Sequence, residues 1–117
     1  AAAVLTEQAG TEVLKRCFLA AGLAVVEHHP LHVAGKVVHL DGFDPKRGVG
    51  YEYLTSEAGD REELTPAVIR ELEARMKNGE FFILLIDEAE VESAASLEHA
   101  AEHFLRVIEM KGRLSRP

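Results

Sequence analysis

The stretch LDGFDPKRGVGYEYL, Leu40 to Leu54, decides how this chain is read. Its centre, Asp44-Pro45-Lys46-Arg47-Gly48, is turn chemistry: Asp can cap, Pro presets φ, and Gly supplies a left-handed exit. Val37 to Phe43 and Val49 to Leu54 flank it, so a hairpin is expected. With a loop of Pro45 to Gly48, Asp44 pairs with Val49, Phe43 with Gly50, Asp41 with Glu52, and His39 with Leu54. Asp41 and Glu52 then meet as cross-strand neighbours on one face, where like charges repel. Solvent, a basic side chain, a shared proton or a divalent cation is expected to compensate. Tyr51 and Tyr53 alternate with the acids and are expected on the opposite, packed side. A slip of one residue would put the acids on opposite faces.

Working outward, Thr6 to Ala21 carries Val13, Leu14, Cys17, Phe18 and Ala21 at three- and four-residue spacing, which predicts a helix stopped at Gly22. Leu23 to His28 and Leu31 to Ala34 read as one interrupted strand or two short ones, broken by His29 and Pro30. Thr55 to Glu63 is a polar loop. Thr65 and Pro66 are a cap and a first helical residue; Val68, Ile69, Leu72 and Met76 form the buried stripe, and Asn78-Gly79 ends the helix. The continuous apolar run Phe81 to Ile86 fits a central strand buried on both faces. After the acidic run Asp87 to Glu92, a final helix is expected from Ser93 or Ser96 to about Lys111, with Leu97, Ala101, Phe104, Leu105 and Ile108 on its core side. The order helix, strand, strand, strand, helix, strand, helix predicts an α/β (α+β) domain with a mixed sheet of about four strands and helices packed on it.

The chain of 117 residues is read as a single globular domain, residues 1–117, with a core large enough to need no staples. Its net charge of −7 opposes loose binding to nucleic acid or anionic lipid and makes a protein partner the expectation. Cys17 is the only cysteine, which excludes an intrachain disulfide and a cysteine-based zinc site. No apolar run approaches the ~20 residues of a membrane span. The start AAAVLTEQ is compatible with a trimmed or cytoplasmic chain, or with export after signal-peptide removal.

Asp41, the hairpin, and Glu52 in the next strand, followed by helix and strand, resemble the PD-(D/E)XK nuclease-like core over residues 6 to 87. The resemblance implies that Asp41 and Glu52 are catalytic and bind Mg²⁺ or Mn²⁺; His39 is a further candidate ligand. The family's lysine would fall on Leu54, and Leu40 stands where its proline usually precedes the first acid. Leucine cannot stabilise a phosphorane, so the lysine's role would pass to Lys36, Lys46 or a base on the second helix.

His28, His29, His32 and His39 fall close together and, with Glu27, raise a zinc or copper site. Adjacent residues of a strand point to opposite faces, which separates His28 from His29. His99-Ala-Ala-Glu102-His103 fits an H-x-x-E-H zinc-protease pattern, yet a solvated helix face accounts for it without a third ligand. Cys17 is read as a small core residue. The reading adopted is a non-catalytic binding or structural module without a cofactor. A metal-dependent phosphodiesterase-like domain, possibly an inactive one, and a histidine-based metal-binding protein are the alternatives.

Overall fold

Helix α1 (Glu7–Ala20) begins where Thr6 accepts the Ala9 N–H through its side chain at 3.1 Å. It buries Val13, Leu14, Cys17 and Phe18, the expected stripe. It stops at Gly22, whose φ of 94° is open to glycine, and Leu23 folds back so that its N–H reaches the Phe18 carbonyl. The computed structural model describes residues 5–57 and 59–115, without the side chains of Asp60 and Arg61. The chain start and the last two residues of the basic tail lie outside that range.

The remaining elements are β1 (Val26–Val33), β2 (Lys36–Asp44), β3 (Val49–Leu54), a single turn α2 (Asp60–Glu63), α3 (Pro66–Lys77), β4 (Phe82–Asp87), a 3₁₀ turn (Glu88–Glu90) and α4 (Ala94–Met110). Apart from α2, which lies in the expected polar loop, this is the predicted order. Thr65 caps α3 with Pro66 in its first turn, and Ser93 caps α4 in a reciprocal exchange with Ser96.

The strands form one sheet in the order β1-β2-β3-β4. β1 and β3 run antiparallel to β2, and β4 runs parallel to β3. Two apolar clusters cover the sheet. One joins Leu14 and Phe18 of α1 and Leu97, Leu105 and Ile108 of α4 to Tyr51 and Tyr53. The other joins Val68 and Leu72 of α3 to Val38, Leu40, Phe43 and Ile83. Phe18 meets Tyr51 edge-on at 4.8 Å between ring centroids, a contact worth about 0.5–1.5 kcal/mol beyond area burial. α1 comes close to β3 because Gly10 has no side chain: a Cβ there would lie 2.2 Å from the Tyr53 ring.

Two expectations need correction. The apolar run ending at Ile86 is not central: β4 is an edge strand, and β3 is the element buried at every position. The run is apolar because helices cover both of its faces, with Phe82 and Leu84 packed toward α1 and α4, and Ile83 and Leu85 toward α3. Face burial and edge position are independent, and the sequence reports only the first. Second, of the two forms expected for β1 the single interrupted strand is the one formed, but it starts at Val26 and its irregularity is at His28, which has a φ of 53°, and not at His29 and Pro30.

Candidate functional site

The hairpin register is as predicted for Asp44 with Val49 and Phe43 with Gly50, and the paired residues continue to Gly42 with Tyr51. There the ladder stops. Asp41 N–H donates to Glu52 Oε1 at 2.9 Å, and Asp41 Oδ2 accepts the Tyr53 N–H at 2.8 Å. Each carboxylate takes a backbone donor where β2 and β3 part. Glu52 is 0 % exposed and Asp41 9 %, so neither acid is a solvated strand end. A backbone N–H is part of the compensation for each of the two neighbouring acids, a source that pattern reading overlooks. Each bond gives a buried carboxylate oxygen a donor, which offsets part of the cost of burying it.

The reason lies one strand further out. Leu40 and Phe43 both join the cluster under α3, whereas strict alternation would send residues three apart to opposite faces. Gly42 meanwhile faces the Tyr51 ring of the other cluster, so closely that a Cβ would lie 2.3 Å from it. The chain therefore gains a residue at Asp41, as in a β-bulge. On the neighbouring strand His28 adopts its left-handed turn, and the β1–β2 pairs pass over both residues, from Glu27 with Gly42 to His29 with Leu40. A matched irregularity in two strands keeps the register intact and turns Asp41 out of the regular ladder.

Asp41 then lines a cavity of about 130 Å³ with Glu7, Thr11, Glu12, Lys15, Glu27, His28 and Tyr51. Asp41 and Tyr51 thus share a cavity, contrary to the expected separation of the tyrosines from the acids. Burial, followed by the carboxylates of Glu27, Asp41 and Glu12, pushes the Tyr51 hydroxyl well above its usual value, so it stays protonated. Lys15 and Glu27 pair at 2.6 Å; the hydrogen bond and the attraction raise the lysine and lower the acid. Lys15 is the basic side chain found beside Asp41, on the first helix and not among the expected substitutes. Lys36 opens β2 opposite Val33, and Lys46 lies exposed in the turn. Leu54, at the position the nuclease resemblance gives to lysine, is buried with Val68 and Leu72.

His39 stands apart from the acids. Its N–H donates to Glu63, its Nδ1 is 3.8 Å from the same carboxylate, and its side chain is 57 % exposed. His28 lines the cavity, His29 meets Phe43 with the rings tilted and their centroids 5.0 Å apart, and the His32 carbonyl accepts from Arg75 at 2.8 Å. Among the described residues no three His, Cys, Asp or Glu side chains are placed to hold a metal ion. His99 and Glu102 line a wide shallow depression with Arg106, and His103 is exposed. Cys17 is buried in the α1 cluster as expected. No helix among the described residues is long and apolar enough to cross a membrane.

The turn contains a further buried carboxylate, which the sequence marked only as a cap. Asp44, 1 % exposed, accepts from the N–H groups of Ala24, Lys46 and Arg47 and from the Arg47 guanidinium, at 2.9–3.0 Å. Burial alone would raise its carboxyl; the bonds from Ala24 and Arg47 outweigh it and hold the group below the usual range. Asp44 thereby ties the hairpin turn to the segment entering β1. Compared with protein-family models, curated proteins and solved structures, the chain gives no match in any of the three.

Proposed function

We propose that this domain is a non-catalytic binding module, with protein as its partner in preference to nucleic acid. The observation that carries the reading is the use of Asp41 and Glu52 as buried acceptors for opposing backbone N–H groups. Carboxylates held this way act as struts of the sheet. Leu54 in the core supports the same reading, because a lysine at that position would have to leave the α3 cluster to reach a substrate. The net charge of −7 favours a protein over a polyphosphate partner.

A metal-dependent phosphodiesterase-like domain is the second reading. In its favour, three antiparallel strands are followed by a helix and a strand parallel to the third, with both acids where β2 and β3 part. The donor set does not fit a metal as arranged: one oxygen of each acid is occupied by an amide, and among the described residues no third ligand converges. No metal-dependent step is derived for it.

Incubation with single- and double-stranded DNA in Mg²⁺ or Mn²⁺, combined with thermal melts in the same ions, separates the two. The binding module leaves DNA intact, shows no metal-dependent rise in Tm, and gives no salt-sensitive anisotropy change at physiological salt. Hydrolysis that is lost in Asp41→Asn would replace it with the second reading.

A further inference from the structure

We propose that the free edge of β4 pairs antiparallel with the same edge of a second copy of this chain, forming a two-fold dimer with a continuous sheet. Among the described residues β4 ends the sheet, paired with β3 alone. The Phe82 N–H donates to the Gly48 carbonyl at 2.7 Å, which fixes the alternation of the strand. Phe82, Leu84 and Ile86 turn their backbone groups toward β3, and Ile83, Leu85 and Asp87 turn theirs outward. The outward Ile83 N–H donates to the Met76 sulfur at 3.3 Å, a weak acceptor and the one it has among the described residues. A short apolar strand with an open ladder, no proline and no charge before Asp87 lacks the usual protection against pairing. The opposite edge does carry it: β1 has Glu27 and three histidines, with Pro30 in the middle.

Charge identifies the occupant. At the start of β4 an open depression is lined by Met76, Lys77, Phe82, Lys111 and Arg113, with Lys111 and Arg113 at 5.4 and 5.0 Å from the centre of the Phe82 ring. The acid of that corner, Glu80, is bonded to Arg75. The chain at the other end of the strand is acidic in sequence: between residues 87 and 92 stand Asp87, Glu88, Glu90 and Glu92 and no Lys or Arg. A strand that is basic at one end and acidic at the other complements its own reverse. With Leu85 on the two-fold axis, Ile83 faces Asp87 of the second copy, and each basic corner meets the other copy's acidic run. An isologous interface is closed, so association stops at two.

Sedimentation velocity of the full chain from micromolar to submillimolar concentration tests the pairing, at low salt and at about 0.5 M salt, where screening shortens to a few ångströms. A monomer–dimer equilibrium is expected, weakened about tenfold or more by the high salt. Leu85→Pro removes an outward N–H and should abolish the dimer; its circular dichroism and melt report whether the monomer is folded. The surface variants Lys77→Glu/Lys111→Glu and Glu90→Lys/Glu92→Lys avoid the folding question. Each should dimerise less well alone, and an equimolar mixture should form a heterodimer, because both of its corners are again complementary. A folded wild type that stays monomeric throughout would overturn the proposal. So would a dimer that the charge variants, separately and mixed, leave unchanged.

Discussion

Asp41 and Glu52 are joined through the backbone: the N–H of the first donates to the carboxylate of the second, and the carboxylate of the first accepts the N–H of Tyr53. They stitch β2 to β3 where the ladder has ended. Removing the Asp41 carboxylate leaves a buried amide without its acceptor, so Asp41→Ala should lose about 1.5–3 kcal/mol in urea unfolding. Asp41→Asn keeps an oxygen acceptor and should lose less, about 0.5–1.5 kcal/mol. An unchanged or raised midpoint in both variants would mean that the repulsion between the acids outweighs their bonds.

Gly10→Ala tests the close approach of α1 to β3. On a helix surface this exchange stabilises by up to about 1 kcal/mol. Here the added methyl meets the Tyr53 ring, whose hydroxyl is fixed by the Leu5 carbonyl at 2.6 Å. A net loss of about 1–3 kcal/mol is expected from overpacking. A stabilised variant would place α1 further from the sheet.

Asp44 gives the acid limb of stability a specific origin. Its carboxyl is held below the unfolded value of about 3.9. The stability it contributes is fully present above that unfolded value and is lost as pH falls through the lower folded value. Asp44→Asn should therefore narrow the gap in stability to wild type as pH drops from 5 toward about 2. A constant difference across that range would show that the turn does not depend on the charge.

Amide exchange should be slowest in β3, from Val49 to Leu54, because it is buried at every position and flanked by a strand on either side. If β4 exchanged more slowly than β3 in dilute monomeric protein, the order of the sheet would be in question.

The elements that could be read from the chain are those governed by local chemistry. Thr6 and Gly22 bracket α1, Thr65-Pro66 and Asn78-Gly79 bracket α3, and the Asp44–Gly48 turn sets the register of the hairpin beside it. What escaped reading depends on partners distant in sequence. The position of β4 at the edge is decided by β3 alone taking it as a neighbour, a choice that the composition of an apolar run does not encode. At the site, Asp41 and Glu52 were legible as neighbours, but their backbone donors were not. Those donors arise from the extra residue at Asp41 and its match at His28, and neither is a glycine or a proline that would announce a break. The loss of alternation between Leu40 and Phe43 was the available signal. Lys15 was invisible as a neighbour of Asp41 because α1 reaches the sheet by tertiary packing.

The parallel pairing of β3 with β4 also has a kinetic side. β1 and β2 are joined by the tight Ala34-Gly35 turn, so their zipper closes within one short span of chain. Val49, by contrast, waits for Phe82, with α2 and α3 in between. Loop-closure entropy must be met before that distant pairing gains anything, which makes the closing of β4 onto β3 the late event. We predict φ-values near 0.5–0.8 for truncations such as Val38→Ala in the meander and near 0–0.3 for Ile83→Val. The reverse ranking would refute this order. During synthesis, a nascent chain that has not yet emerged past Phe82 carries β3, the best-buried strand of the finished domain, with one side bare.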